Sequence, residues 1–239
     1  MKLEADLHVH TLASSHAYST ITEIARWSAD IGLKAVAITD HGSAMPDAPH
    51  IWHFQNLDTI PDHLFGVHIL RGVEANVMDP KGSLDIEEWI LKKLDWVVAS
   101  MHKQTALMTD PDEVTSAWMG IAENPYVDVI GHMGLPRYAC DYDKVVRAFG
   151  EHGKLVEINS HSFDVRKEAV PNCRKVAELC MKYGVQISVD SDAHFHMDVA
   201  KVDKAMAMLR EIDFPEELIV NASYERLVKY LENRNRPKA

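Results

Sequence analysis

Cysteine is scarce in this chain of 239 residues, with only Cys140, Cys173 and Cys180. Cys173 and Cys180 share a stretch with helical spacing, which separates them by about 10 Å along the axis. A disulfide tolerates roughly 7 Å between Cα atoms at most. Reduced, buried thiols and a cytoplasmic location are therefore expected. Apolar length is also lacking. Met1 is followed by Lys2, Leu3, Glu4 and Ala5, with none of the apolar character of a leader. No run approaches the roughly 18 residues that cross a bilayer, so neither a leader nor a membrane partner is expected. Positive charge is in deficit: 25 Lys and Arg stand against 36 Asp and Glu, for a net charge of -11 with His neutral. That balance disfavours passive binding to nucleic acid or anionic membrane. It does not exclude a small anionic substrate, because bound cations reverse the sign locally. Repeats, low-complexity tracts and interdomain linkers are absent from the sequence, and one domain over residues 1–239 is expected.

What the chain does have is alternation. Short apolar runs at 5–10, 35–39, 69–75, 96–100, 127–131, 155–159 and 186–189 read as strands. Amphipathic patterns at 22–31, 87–93, 111–122, 143–152, 171–183, 202–212 and 224–232 read as helices. Pro111 and Pro171 suit first-turn positions, and Gly153 and Gly184 sit where helices stop. Strand–helix alternation implies parallel strands with right-handed crossovers. The expected fold is α/β, a distorted (β/α)7 barrel of the TIM type, with an open doubly wound sheet as its rival. The longest irregular stretch is expected from residue 41 to 66.

The strand ends carry a recurring residue type. His8 and His10 lie two apart on the first strand, so they project side by side, and Asp6 is expected on the same face. His16 follows on the next loop. The second strand ends in Thr39-Asp40-His41-Gly42 and the third in Gly72-Val73-Glu74. His102 and His132 end the fourth and fifth, and Ser191-Asp192-Ala193-His194 ends the seventh. In parallel barrels these ends converge on one face. Seven imidazoles (His8, His10, His16, His41, His102, His132, His194) and two carboxylates (Glu74, Asp192) are too many for one ion. Two to three divalent ions are expected. Imidazole with carboxylate suits zinc, manganese or iron.

The same residues resemble the polymerase and histidinol phosphatase (PHP) family. Its motifs are an early His-x-His, a Thr-Asp-His-Gly, a Gly-x-Glu, two separate histidines and a late Ser-Asp-x-His, all present here in order. The stretches His16-Ala17-Tyr18-Ser19 and Asp47-Ala48-Pro49-His50-Ile51-Trp52-His53-Phe54 are similar to the stand-alone bacterial phosphatases of that family. The resemblance implies a trinuclear site. His8, His10, Glu74 and Asp192 would hold one ion. Glu74 would bridge to a second ion held by His102 and His132, and His16, His41 and His194 would hold a third.

The expected activity is hydrolysis of small phosphomonoesters by a metal-activated hydroxide, with Glu74, Asp192 and His194 closest to the chemistry. Asp6 and Asp40 are expected to orient ligand imidazoles. Arg137 and Arg166 are expected to grip phosphate, and His50 and His53 to wall the pocket. The competing readings are a phosphodiesterase or nuclease acting on nucleic acid ends, an amide or ring hydrolase, and a non-catalytic metal-holding regulatory or interaction protein. The acidic balance weighs against the nuclease. No carbamylated-lysine position stands at the middle strands, since Glu74 fills the bridging role, which weighs against the amide hydrolase. The sequence leaves the oligomeric state open.

Overall fold

Trp96 is fully buried in the centre of the sheet, and the residues around it are small. Ala5, Ala35 and Ala37 share its cluster with Leu7, Leu70, Val98, Val129 and Leu155. Nearly every strand contributes to this inner cluster, which is how a barrel with tilted strands fills its own middle. The structure, a computed structural model, describes residues 2–237. Of the expected domain 1–239, Met1, Lys238 and Ala239 lie outside the described residues.

Among the described residues eight strands form: β1 Ala5–Val9, β2 Ala35–Ile38, β3 His63–Leu64, β4 Val67–Asn76, β5 Trp96–Ser100, β6 Val129–Ile130, β7 Leu155–Asn159 and β8 Ile187–Asp190. Their order is β1-β2-β4-β5-β6-β7-β8, with each of these pairs parallel. β3 is an antiparallel addition to β4. The sheet closes because Val9 bridges Ala193 in parallel and His10 N–H donates to Ala193 C=O at 2.9 Å. This is the seven-unit barrel expected from the alternation; the open sheet is excluded by the β8-to-β1 closure.

Several of the long helices start where the sequence supplies caps. Thr20 and Glu23 form a capping box on Ile21–Asp30, and Asp110 caps Pro111–Glu123. Gly184, at φ +67°, stops Val170–Tyr183 in the left-handed conformation that glycine adopts freely. The stretch expected to be irregular, 41–66, differs: it holds a helical turn Trp52–Gln55, a tighter turn Leu57–Thr59 and strand β3. Phe65 and Gly66, at φ +52° and +81°, make the two-residue hairpin turn into β4.

β1 departs from simple alternation. Ala5 and Leu7 belong to the inner cluster, yet His8 also faces inward, against Glu74 and Glu157. The β1–β2 pairing shifts register between Asp6 and Val9, and this irregularity resets the faces. Asp6 therefore does not share the face of His8 and His10, a correction to the sequence reading. The last helix, Tyr224–Asn233, packs Leu227 against the inner cluster and stops the opposite end of the barrel.

Candidate metal centre

Toward the C-terminal ends of the strands the barrel interior changes from apolar to ionisable. Glu74 on β4 is fully buried and sits among five imidazoles. His132 Nε2 lies 2.8 Å and His102 Nε2 3.3 Å from its Oε1, and His41 Nδ1 lies 2.6 Å from its Oε2. His8 Nε2 is 3.4 Å from Oε1 and His10 Nε2 3.7 Å from Oε2. Asp192, on the loop after β8, brings Oδ1 to 3.1 Å from His10 Nε2 and 3.7 Å from His8 Nε2. Asp192 and His132 hold positive φ, +55° and +22°, so the backbone bends to present them.

Four imidazoles have one nitrogen already engaged. His8 Nδ1 donates to Glu157 (2.7 Å), His102 Nδ1 to Asn76 Oδ1 (2.8 Å), His16 Nδ1 to Asp47 (2.5 Å) and His194 Nδ1 to the Asp192 carbonyl (2.9 Å). Each is left with Nε2 as its free lone pair. His8 Nε2, His194 Nε2, both ring nitrogens of His10 and Glu74 Oε2 are buried with no hydrogen-bond partner among the described residues. Buried polar atoms are rarely left this way. A cluster of lone pairs aimed into one space, with the other nitrogen of the ring anchored, is the arrangement of a metal-binding histidine set.

The carboxylates and His10 take binding-competent forms, whereas at His8 and His41 burial is overcome by the facing carboxylates, which favour the protonated ring, so a cation there would displace a proton. Burial alone would raise the Glu74 carboxyl, but the imidazoles of His102, His8 and His41 hold it well below the usual range. Burial likewise opposes the Asp192 carboxylate, and His8, His10 and Arg166 hold it well below the usual range. Burial, followed by the neighbouring His41, pushes His10 down to about 3, so this ring stays neutral. Neutral imidazole and ionised carboxylate are the forms that bind a cation.

The donor atoms group in a way that partly departs from the implied ion sets. His8, His10 and Glu74 converge within 4.8 Å, as do His41, Glu74 and His102. The third implied set, His16, His41 and His194, is not one of the convergent groups; His41 instead converges with His10 and His194, and separately with His16 and Asp47. Asp47 is thus a donor that the sequence reading left without a role. The set contains no thiolate: the three cysteines are free and belong to helix and loop packing.

A cavity of about 790 Å³ opens over this cluster, lined by Glu74, Asp192 and His132 at its floor and by Arg137 and His161 among others. Arg166 also lines it, half-buried, with its guanidinium 2.7 Å from Asp192 Oδ2. Arg137 is exposed at the mouth. His50 and His53 do not line the cavity, contrary to expectation. The helical turn Trp52–Gln55 carries them elsewhere: His50 Nδ1 accepts from Trp52 N–H, and His53 faces Asp40 at 3.2 Å. Asp40 accepts from Thr11 N–H and Oγ and from Ser14 Oγ, at 2.7–2.8 Å, so it pins the loop that delivers His16 and touches no imidazole of the cluster. Asp6 accepts from Ser191 and from Ala200 N–H, which pins the loop carrying Asp192. The groups that do orient imidazoles are Glu157, Asn76 and Asp47. A lone acid within the otherwise apolar run Leu155–Ile158 was the one local signal for Glu157.

Comparison with known proteins comes to the same place. The PHP domain family model matches residues 6–161. A protein of Acetivibrio thermocellus named "Probable phosphatase" is 45% identical over 98% of this chain and 97% of its own length. A "Probable phosphatase" of Clostridium novyi is 43% identical over 100% of this chain and 98% of its own length. Among solved structures, histidinol phosphate phosphatase from Lactococcus lactis, complexed with zinc, L-histidinol and phosphate, superposes with a TM-score of 0.61. It covers 90% of this chain and 95% of its own at 15% identity, a likeness of fold.

Proposed function

Because the chain belongs to the PHP-domain family, we propose that it is a metal-dependent phosphatase acting on small phosphomonoesters, with two or three divalent ions held at the cluster. The observation that carries this reading is the set of buried, unpartnered donor atoms around Glu74. His8, His10, Glu74 and Asp192 would hold one ion, His102 and His132 with Glu74 a second, and His41 with His16 and Asp47, or with His10 and His194, a further one. Zinc fits this nitrogen and oxygen set, and so do manganese and iron. When bound, such ions supply Lewis acidity at phosphoryl oxygen and lower the pKa of water to about 7.

The chain's own residues supply the rest. Glu157, Asn76 and Asp47 fix the ring orientations, so the lone pairs are in place before any ligand arrives. Glu74 and Asp192 carry the negative charge that keeps cations in the pocket. Arg166 neutralises the outer oxygen of Asp192 and stands at the cavity floor as a fixed positive charge toward a phosphate oxygen. The barrel walls exclude bulk water from the floor, which strengthens each of these interactions.

The test is release of phosphate from p-nitrophenyl phosphate by purified protein with added zinc or manganese. His10→Ala and Asp192→Asn are each expected to lower kcat at least a thousandfold, roughly 4 kcal/mol of activation barrier by the usual conversion. Full activity in both variants would sink the proposal. A preference for bis-p-nitrophenyl phosphate would instead make the protein a diesterase.

A further inference from the structure

Three cationic side chains line the cavity, and two of them, unlike Arg166, stand clear of the candidate metal cluster. Lys103 directly follows His102 at the end of β5, and Arg137 lies in the turn Pro136–Tyr138 that follows His132 and β6. β5 and β6 are neighbours in the sheet, so both cations stand on one sector of the mouth. Both side chains are exposed, in contrast to Arg166 on the floor. Among the described residues, neither has a carboxylate within 4.0 Å. This is notable in a chain with 11 more acidic than basic residues. The acids of the same cavity are spoken for or placed elsewhere. Asp47 is held by His16, and Glu74 and Asp192 face imidazoles. Glu168 comes from the turn after β7, and among the described residues it makes no ion pair within 4.0 Å with either cation. Arg137 lays its guanidinium 5.8 Å from the Tyr138 ring centre, which steadies its stem.

The cavity is also larger than a phosphate ester alone requires. Its 790 Å³ falls within the roughly 300–1,000 Å³ of pockets that enclose whole organic ligands. Between floor and mouth the wall is apolar, made by Met45, Met101 and Leu135, which suits a carbon skeleton. The arrangement therefore runs from a phosphate-binding floor, past an apolar wall, to a pair of free cations.

We propose that Lys103 and Arg137 form a second anion subsite, so that preferred substrates carry a further phosphate or carboxylate on the same skeleton as the scissile phosphate. The inference rests on the phosphatase reading given above. The subsite acts on binding, because the second anion stays out of the bond that breaks. Its signature is a lower KM with kcat little changed.

Two matched pairs test it: fructose 1,6-bisphosphate against fructose 6-phosphate, and 3-phosphoglycerate against glycerol 3-phosphate. The wild type is expected to favour the more anionic member of at least one pair by about tenfold or more in kcat/KM, through KM. A preference in the sugar pair identifies the second group as phosphate, and in the glycerate pair as carboxylate. In the double variant Lys103→Met with Arg137→Met the preference is expected to fall to about one, whatever the absolute rate. Lys103→Arg is expected to keep it. Raising salt from about 0.05 to about 0.5 M is expected to shrink it, since both cations are exposed to screening. No preference in the wild type, or a preference that survives the double variant, overturns the subsite while leaving the phosphatase reading intact. Failure to hydrolyse any of the four esters and p-nitrophenyl phosphate overturns both.

Discussion

Glu157 is a single side chain with two tasks. Its Oε1 accepts from His8 Nδ1 and its Oε2 accepts from His132 N–H at 2.6 Å. It thereby selects the tautomer of one imidazole and the backbone position of another. Glu157→Gln keeps the shape but removes the charge, and is expected to weaken divalent-ion affinity about 10- to 100-fold. Competition against a chelating dye measures this, with circular dichroism to verify the fold; unchanged affinity would show that His8 is oriented by packing alone. At this scale, legibility in the sequence depends on distance along the chain. His8 and His10 advertise themselves because two-residue spacing fixes their faces. The partners of the imidazoles do not, because Glu157 lies 149 positions from His8, and Asn76 lies 26 from His102. Such pairings exist only once the barrel closes. His50 and His53, expected to wall the pocket, misled for the reverse reason: their contacts are short-range and local, His50 accepting from Trp52 N–H and His53 facing Asp40.

At the scale of elements, β4 runs very close to both of its sheet neighbours, β5 and β2, at Gly72. A Cβ there would stand 2.5 Å from the Trp96 carbonyl and 3.0 Å from the Ile38 carbonyl. Both obstacles are backbone and cannot swing away. Gly72→Ala is therefore expected to destabilise the protein by about 1–3 kcal/mol or more, read as a lowered urea midpoint at unchanged slope. A neutral result would mean that the β4–β5 pairing has slack. The strand limits at β5 and β7 follow the apolar runs to the residue, since those runs end at turn-forming or ionisable neighbours. β6 is shorter than its apolar run because Val127 N–H turns back to Asn124 C=O. The break in alternation inside β1 was hidden, because a register shift depends on the partner strand. Hairpin strand β3 was missed although Phe65-Gly66 carried a turn signal, since two residues are too few to show a period.

For the whole molecule, the end of the barrel opposite the histidine–carboxylate cluster governs a pH dependence. Lys154 donates to the carbonyls of Asn124 (2.6 Å) and Val127 (2.8 Å), and burial pushes its ammonium from 10.5 down to about 8 against the pull of Asp128. Between those values the unfolded chain holds a proton that the folded one has released. The Lys154 contribution to stability is thus complete above 10.5 and lost as pH falls toward 8. The difference in unfolding free energy between wild type and Lys154→Met is expected to rise from about pH 7.5 to about pH 10, and a flat difference would contradict the burial argument. Arg234 reinforces the same end by clamping Asp128 at 2.6 Å. Closure of the barrel also has a consequence for how the protein is made. Leu7 N–H is bonded to Asp190, 183 positions later, and Ala5 C=O to Asn221, 216 positions later. At synthesis rates of about 5–20 residues per second, the first strand leaves the ribosome roughly 10–40 s before its closing partner exists. For that interval the newborn chain displays an unpaired edge bearing two bare imidazoles. Under the proposed function, the complete donor set exists only once Asp192 and His194 have been made and brought beside β1.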